Sequence, residues 1–202
     1  MKVALIGATG NAGSRILAEL TRRDHTVTAI VRNPERVPAQ ANVIAKKGDV
    51  FEQAGLADLL TGHDAVISSI HFTASDPRKL IEAVRASGVR RYLVVGGAGS
   101  LEVAPGLNLI NASNFPEEYR PEAAAGGVFL DLLRQEKELD WTFLSPSALF
   151  VPGERTGKFR LGKDQLLTNE QGSSISFEDL AVALVDELEE PSHSRQRFTV
   201  GY

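Results

Sequence analysis

Seven short apolar runs alternate along the chain with amphipathic helical stretches, and this alternation constrains the fold more than any other feature. The runs are continuous and rich in β-branched residues, which is typical of strands buried on both faces of a sheet. They lie at Lys2–Ile6, Thr26–Val31, Val43–Lys47, Ala65–Ile70, Tyr92–Val95, Trp141–Leu144 and Phe198–Val200. The helical stretches lie near Ala12–Arg22, Gln53–Leu60, Pro77–Ser87, Glu122–Leu139 and Phe177–Leu188. Because crossovers between parallel strands are right-handed, the pattern predicts a doubly wound α/β fold, with helices on both faces of a parallel sheet.

Two long segments interrupt the alternation and are predicted to lie on the substrate side. Residues 96–120 contain scattered Gly, Asn and Pro, and residues 151–172 contain one proline and four glycines. Loops of this length in a compact domain are usually functional or disordered. In a doubly wound sheet both would leave the carboxyl ends of late strands, where ligands bind. We expect one domain over residues 1–202, with a small C-terminal substrate lobe.

The composition argues against several classes of function. The chain has 22 basic and 26 acidic residues and a net charge of −4, so we expect no general attraction to nucleic acid or to an anionic membrane. It has no cysteine, which excludes disulfides, thiol catalysis and thiolate metal sites. Its four histidines show no metal-ligand spacing, so no metal is predicted. With no apolar run near the ~18 residues of a membrane span and no signal-peptide pattern, we expect a cytoplasmic protein, either a monomer or a homodimer.

The first strand pattern runs directly into the segment GATGNAG at residues 7–13. Gly7 would let the chain turn tightly, Gly10 would let the backbone approach a pyrophosphate, and Gly13 would let helix and strand pack closely. The free N–H groups at the start of the helix would then face the phosphates, helped by the helix dipole. In this context the motif predicts a nucleotide-binding site, and a glycine turn that only packs is the alternative.

Further motifs follow this GxxGxxG segment along almost the whole chain. They are VRNPERV, GDV, SSI, VVGGAGS, DWTFLSP, SPSALFVPGERTGKFRLG and ISFEDLAVALVDELE. With them the chain resembles the extended and atypical short-chain dehydrogenase/reductases, and among these it is most similar to NmrA-like NADH-flavin reductases, which also resemble biliverdin reductase B. The resemblance implies a Rossmann-type fold, a bound dinucleotide and reduction of a small planar substrate.

The resemblance also implies a role for each matching position. The pyrophosphate loop would consist of Gly7, Thr9, Gly10, Asn11, Ala12 and Gly13. Arg32 would meet the adenosine ribose, and Asp49 and Val50 would flank the adenine. The route to the nicotinamide would be lined by Ser68, Ser69 and Ile70. The nicotinamide ribose would lie beside Gly96, Gly97 and Ala98.

Arg32 favours NADP(H) over NAD(H) by its chemistry alone. NAD-preferring sites usually place Asp or Glu at the end of the second strand, where it accepts hydrogen bonds from the ribose hydroxyls. Here that strand end reads Ile-Val-Arg-Asn, with no acid. A guanidinium can pair with a 2′-phosphate through a bidentate fork. The alternative is that Arg32 is a solvated charge at the strand end.

The Tyr-x-x-x-Lys pair of most short-chain reductases is missing. Four residues after Tyr92 is Gly96, four after Tyr119 is Ala123, and Tyr202 has no residue four positions on. Reactions that move protons at oxygen need a positioned acid or base. Reduction of a flavin or quinone is less demanding, because the cofactor supplies the hydride and water can supply the proton. This absence therefore favours a flavin or quinone acceptor.

Three residues are candidates for a catalytic role, and two of them have a simpler structural alternative. His71 follows the fourth strand and would be a proton donor, unless it is a solvated loop histidine. Tyr119 would stack on a planar substrate, unless it only packs within its loop. Ser100 lies near the place where such folds carry a catalytic serine.

The substrate-binding candidates lie at the sixth strand and in the basic segment after it. The residues are Ser145, Pro146, Arg155, Lys158 and Arg160. The basic residues, with Lys163, would clamp an anionic planar ligand such as the phosphate of FMN, and a solvated charged surface is the alternative.

Three functions follow as hypotheses. The first is an NADPH-dependent oxidoreductase that transfers hydride to a flavin or quinone-like acceptor. The second is a redox sensor that binds NAD(P) without turnover and regulates a partner. The third, an epimerase or dehydratase, depends on a distant resemblance of fold.

Overall fold

The computed structural model describes residues 1–202 and is built around an eight-stranded sheet. The strands are β1 (Lys2–Ile6), β2 (Thr26–Val31), β3 (Val43–Lys47), β4 (Ala65–Ser68), β5 (Arg91–Val95), β6 (Glu102–Ala104), β7 (Leu107–Asn108), β8 (Asp140–Pro146), β9 (Leu149–Val151), β10 (Arg160–Gly162), β11 (Ser174–Ser176) and β12 (Gln196–Gly201). The helices are α1 (Asn11–Arg22), α2 (Gln53–Leu60), α3 (Pro77–Ala86), α4 (Arg120–Gln135) and α5 (Phe177–Glu189). Every strand and helix expected from the sequence pattern is present.

The strand order across the sheet is β10-β12-β8-β5-β4-β1-β2-β3. All neighbours are parallel except β10, which runs antiparallel to β12. The chain winds outward in one direction from β1 through β2 to β3, and in the other from β4 onward. Ligands of such sheets bind outside the carboxyl ends of the strands, at this switch point between β1 and β4. The predicted Rossmann-type, doubly wound fold is confirmed.

Helices cover both faces of the sheet and divide the core into two layers. Alternate residues of β1 face opposite sides, so Leu5 packs in the layer of α1 and α5, and Ile6 packs in the layer of α2, α3 and α4. The second layer contains an aromatic cluster in which Phe72, Phe129 and Phe143 have ring centroids 5.9 to 6.5 Å apart. Burying each such side chain contributes about 1.5–3 kcal/mol. The sheet is therefore held from both sides, and its carboxyl edge is a stable platform.

Two elements end at least two residues earlier than expected. Strand β4 ends at Ser68 rather than Ile70, because Ser69 and Ile70 turn to pack against Gly7. Helix α4 ends at Gln135 rather than Leu139, because Glu136 leaves the helical conformation and its carboxylate accepts the N–H groups of Glu138 and Leu139. The turn before β8 is thus fixed by a local hydrogen-bonded cap.

The two long segments form small sheets of their own. Strands β6 and β7 pair within residues 96–120, and β9 pairs with β11 around residues 151–172. The segments meet where the N–H of Glu102 donates to the carbonyl of Asp164 at 2.8 Å. No helix in the structure has the length and apolar character needed to cross a membrane.

Candidate functional site

The loop after β1 is shaped by two glycines that admit no side chain. Gly7 has φ +87°, and a Cβ there would lie 2.2 Å from the carbonyl oxygen of Ser69. A Cβ on Gly13 would lie 2.0 Å from the carbonyl oxygen of Gly7. Real side chains do not approach backbone this closely, so α1 can pack on the loop only because both residues are glycine. The close packing also seats the loop against the end of β4.

Gly10 differs from Gly7 and Gly13, because protein atoms do not crowd it. A Cβ there would meet nothing nearer than the carbonyl oxygen of Gly7, at 3.4 Å. Gly10 is the N-cap of α1 and has an extended backbone that any residue can adopt. The N–H groups of Asn11, Ala12 and Gly13 find no acceptor in the protein, and the first turn contains no acidic residue. This open, unpartnered helix start is the geometry that binds phosphate groups.

A cavity of about 570 Å³ lies beyond this loop, at the ends of β2 and β3. Its lining includes Arg32, Lys47, Gly48, Asp49 and Glu52. Val31 lies opposite Lys47 in the parallel register, so Lys47 and Arg32, the residue after Val31, are at neighbouring strand ends, and both line the cavity. Neither the Arg32 guanidinium nor the Lys47 ammonium makes an ion pair or side-chain hydrogen bond.

The structure thus brings together the predicted residues Arg32 and Asp49 and adds Lys47, which sequence reasoning missed. The pairing of β2 with β3 is what makes Lys47 a neighbour of Arg32, and the sequence pattern does not reveal that register. Asp49 Oδ1 accepts the N–H of Phe51 at 2.9 Å, which fixes the turn before α2. Val50 is half-buried against the core.

The residues predicted to line the route to the nicotinamide have different surroundings. Ser69 and Ile70 lie against Gly7, at the carboxyl edge of the sheet. Ser68 is different: its hydroxyl is buried and lies 3.0 Å from the Tyr92 hydroxyl. Burial raises the pKa of Tyr92 above its ordinary value, in spite of the opposing hydrogen bond to Ser68, so the pair stays neutral. Ser68 therefore contributes backbone rather than a hydroxyl to this route.

The end of β5 lies beside the same edge. Gly96 donates its N–H to the carbonyl of Leu144 at 2.8 Å and lies against the ring of Phe143. Gly97 and Ala98 follow it and are half-buried. The backbone of this segment therefore faces the loop that holds Gly10 across the end of β4.

The three catalytic candidates occupy different surroundings. His71 is 85% exposed, and its Nδ1 lies 3.3 Å from Oε1 of Glu122. Tyr119 directly precedes α4, is 62% exposed and makes no side-chain hydrogen bond. Ser100 accepts a hydrogen bond from Nη1 of Arg197 at 3.2 Å. Ser100 is thus already hydrogen-bonded, Tyr119 has no side-chain partner, and the exposed ring of His71 contacts Glu122 through one nitrogen only.

Ser100 also borders a polar groove of about 740 Å³ between α4 and the β6–β7 hairpin. The charged side chains along the groove are Glu102, Asp131, Arg134, Asp164 and Arg197. No residue of the loop at 7–13 contributes to its lining. The groove is therefore separate from the edge where the glycine loop and His71 lie.

Comparison with known proteins decides the family. A family model described as NAD(P)H-binding matches residues 7–191. The chain belongs to the NAD(P)H-binding family. It is 44% identical to the protein YwnB of Bacillus subtilis (strain 168) over 211 residues, covering 99% of this chain and 98% of that one.

Two solved structures extend this likeness over the whole NAD(P)H-binding chain. A "putative epimerase" from Bacteroides thetaiotaomicron shares 44% identity and a TM-score of 0.95, covering 100% of this chain and 96% of that one. A "putative NADH-flavin reductase" from Streptococcus pneumoniae TIGR4 shares 41% identity and a TM-score of 0.86, covering 100% and 99%. The resemblance to NmrA-like and short-chain dehydrogenase-like proteins is confirmed, and the chain is an NAD(P)H-binding protein of oxidoreductase type.

The site fits the dinucleotide that this NAD(P)H-binding family implies. The unpartnered N–H groups of α1 suit a pyrophosphate, the space around Gly10 admits it, and the cavity at Arg32 suits an adenosine. These three features lie in sequence along the carboxyl edge of the sheet, from β1 toward β3. A dinucleotide bound in this way would have its nicotinamide end on the other side of β1, toward β4 and β5.

The substrate-side candidates in β8 are not accessible. Ser145 is fully buried, and its hydroxyl has no hydrogen-bond partner. Pro146 is buried beside it. Both lie inside the sheet because β12 pairs with this end of β8. Neither side chain reaches a substrate in this structure.

The basic segment after β9 does not form an anion clamp. Arg155 donates two hydrogen bonds to Glu19 of α1, at 2.8 and 2.9 Å. Arg160 donates to the carbonyls of Thr168 and Tyr202, and the side chain of Lys158 makes no hydrogen bond. The first part of this segment lies across α1 and α5 rather than over the carboxyl edge. The guanidinium groups are thus already paired within the protein.

Proposed function

We propose that the protein is an NADPH-dependent oxidoreductase that transfers hydride to a flavin or quinone-like acceptor. The observation that carries the choice of acceptor is the start of α4. Ala123 stands there four residues after Tyr119, and Gly99 packs against it. A Cβ on Gly99 would lie 2.7 Å from the Ala123 Cβ, so Gly99 packs directly against the position at which the paired lysine would stand.

The choice of NADPH is supported by the two unpaired cations at the ribose end. Arg32 and Lys47 both line the cavity, and the end of β2 carries no acid to receive ribose hydroxyls. Neither cation has a partner in the protein, and a 2′-phosphate bound in the cavity would supply one. Asp49 and Glu52 would then lie beside the adenosine.

The protein's own part in the reaction is to bind and orient. When bound, NADPH supplies a hydride. The open N–H groups of α1 hold its pyrophosphate, and the backbone of Gly97 and Ala98 with Ile70 directs the nicotinamide end to the exposed edge. A planar acceptor such as FMN would stack there, with the reacting atoms about 3–3.5 Å apart.

Turnover of a panel of acceptors tests the proposal. We expect NADPH oxidation to be accelerated by FMN, riboflavin or menadione, and to be lost in Gly10→Val. Oxidation that is no faster with these acceptors than without them would contradict it.

The missing Tyr–Lys pair is equally consistent with the redox-sensor hypothesis. The affinity for the dinucleotide distinguishes a sensor from a reductase. A sensor must bind oxidised and reduced dinucleotide with different affinity, because a ligand without differential affinity shifts no equilibrium. Equal affinity, or measured turnover, would exclude it. The third hypothesis, an epimerase or dehydratase, requires an acid–base pair, and Ala123 occupies the position at which the lysine of that pair would stand. The cytoplasmic location, the monomeric or dimeric state and the absence of a nucleic acid partner stay predictions.

A further inference from the structure

His71 and Glu122 form a pair on the edge where the nicotinamide end is proposed to lie. His71 directly follows Ile70, which packs against Gly7, and Glu122 lies in the first turn of α4, three residues after Tyr119. The imidazole Nδ1 is 3.3 Å from Glu122 Oε1, and Nε2 makes no hydrogen bond. The pair is therefore a histidine with one nitrogen held by a carboxylate and the other free to meet a ligand.

Glu122 is held firmly in place by the turn that carries His71. Its Oε1 accepts the N–H of Phe72 at 2.7 Å, and its Oε2 accepts the N–H and the hydroxyl of Thr73 at 2.9 and 2.7 Å. Partial burial raises the pKa of Glu122, but these hydrogen bonds and His71 outweigh it, so the pKa lies below its ordinary value. Glu122 is thus a carboxylate that can stabilise a protonated imidazole.

The turn that carries His71 is also anchored by the aromatic packing of Phe72. The ring of Phe72 stacks on Phe143 with centroids 6.2 Å apart and meets Phe129 edge-on at 5.9 Å. A Cβ on Gly126 would lie 2.8 Å from this ring, which shows how closely α4 packs on it. His71 therefore sits on a rigid turn, although its own ring is exposed.

We propose that His71 donates a proton to the oxygen of the acceptor and that Glu122 is the residue that positions its imidazole, so that aromatic aldehydes and ketones are substrates beside flavins and quinones. The inference rests on the proposed function, because the hydride comes from the bound dinucleotide. The pair would supply the acid that the missing Tyr–Lys pair supplies in related reductases.

When bound, NADPH supplies the hydride that forms the new C–H bond, and the nicotinamide is oxidised as the carbonyl carbon is reduced. The N–H bond at His71 Nε2 breaks, and its proton joins the electron pair that the C=O π bond releases, which forms the alcohol O–H. The neutral imidazole keeps its Nδ1–H toward Glu122. It recovers the Nε2 proton from water, to which the exposed ring has direct access.

The test compares two acceptors in matched variants. NADPH oxidation is measured with 4-nitrobenzaldehyde and with FMN in the parent, His71→Gln, Glu122→Gln and Glu118→Gln. Glu118 is the matched control, because it is an exposed acid before the same helix with no partner. We expect the ratio of aldehyde to FMN reduction to fall ~100- to 10,000-fold in His71→Gln, the usual contribution of a general acid. The ratio in Glu122→Gln should fall as well, through kcat rather than KM, and that in Glu118→Gln should stay at the parent value.

A second readout needs no cofactor. In the dinucleotide-free protein, the ¹⁵N resonance of His71 Nδ1 should shift in Glu122→Gln, while the one amide, of Phe72 or of Thr73, that the remaining carbonyl oxygen accepts keeps its hydrogen-exchange protection. A parent that reduces FMN but not the aldehyde would overturn this inference and leave the proposed function standing. A parent that reduces neither would overturn both. An unchanged ratio of aldehyde to FMN reduction in His71→Gln, or an unshifted Nδ1 resonance in Glu122→Gln, would overturn the assignment of His71 as proton donor and Glu122 as its positioning residue.

Discussion

At the scale of single residues, the three glycines of the first loop separate into two kinds. Gly7 and Gly13 are required by packing, since a Cβ on either would lie within 2.2 Å of a backbone oxygen. Gly10 has no such neighbour, and its backbone is extended. Its lack of a side chain therefore keeps the space beside it open. The same residue type therefore preserves the fold at two positions and a ligand site at the third.

This difference predicts opposite outcomes for two substitutions. Gly10→Val should lose most of its affinity for NADPH while keeping the parent melting temperature, because the branched side chain fills space that the pyrophosphate needs. Gly13→Ala should lower the free energy of unfolding by about 1–3 kcal/mol or more, since overpacking against backbone forces a shift. Calorimetry of binding and of unfolding measures both. Tight NADPH binding by Gly10→Val would refute the assignment of the loop.

A second prediction at this scale concerns the two cations. Arg32→Ala should remove most of the preference for NADPH over NADH, because a charge-assisted hydrogen bond contributes about 1.5–3 kcal/mol, or roughly 10- to 150-fold in affinity. Lys47→Ala should reduce the preference in the same direction, and added salt should weaken it in the parent. Dissociation constants for both cofactors give the ratio.

Lys46→Ala is the matched control, because Lys46 is an exposed lysine of the same strand that does not line the cavity. It should leave the ratio unchanged. An equal loss of NADH and NADPH affinity in Arg32→Ala would show instead that the guanidinium stacks on the adenine.

At the scale of elements, residues 152–160 are fastened to two helices by buried carboxylates. Glu19 of α1 accepts hydrogen bonds from Arg22, Arg23 and Arg155 and is 3% exposed. Asp179 of α5 is fully buried and accepts the hydroxyl of Thr156 at 2.6 Å and the N–H of Gly157 at 2.8 Å. These contacts explain why the basic segment lies across the helices.

Glu19→Gln should lower the free energy of unfolding by about 1–3 kcal/mol, because three guanidinium groups lose one shared charge. Glu82→Gln, in the exposed pair with Arg85, should cost less than about 1 kcal/mol. Chemical denaturation measures both. Equal effects would mean that the cluster at Glu19 contributes no more than a surface ion pair.

The elements themselves were largely predictable, and the long-range contacts of their side chains were not. Strands β1, β2 and β3 begin and end at the residues expected, because each is a local apolar run. Arg155 pairs with Glu19 across 136 residues, and Glu122 caps a turn 50 residues away. Such partners depend on which elements the topology makes neighbours. The burial of Ser145 has the same origin, since it follows from the pairing of β8 with β12.

At the scale of the whole molecule, paired glutamates make the fold sensitive to acid. Hydrogen bonds and ion pairs hold the pKa below its ordinary value at Glu19, Glu117, Glu122, Glu178, Glu187 and Glu189. A carboxyl with a lowered folded pKa contributes stability above its unfolded pKa, about 4.3 for Glu, and loses it as the pH falls through the folded value.

The melting temperature should therefore be steady from neutral pH down to about pH 5 and should fall below that. Calorimetric scans across the acid range measure the slope. Glu19→Gln should give a shallower slope than the parent. A melting temperature that stays constant down to about pH 3 would contradict the assignment of these pairs as stabilising.

The position of strand β3 at an edge of the sheet affects how separate molecules associate. It is the outermost strand of the sheet, so one row of its backbone N–H and C=O groups lacks a partner strand, and Ile44 on it is 52% exposed. Another chain could add to such an edge and begin aggregation, and lysines on edge strands oppose this by repulsion. Lys46 and Lys47 place two positive charges at the end of β3. A variant that switches cofactor preference at Lys47 would therefore also remove part of what keeps the molecules apart in concentrated solution.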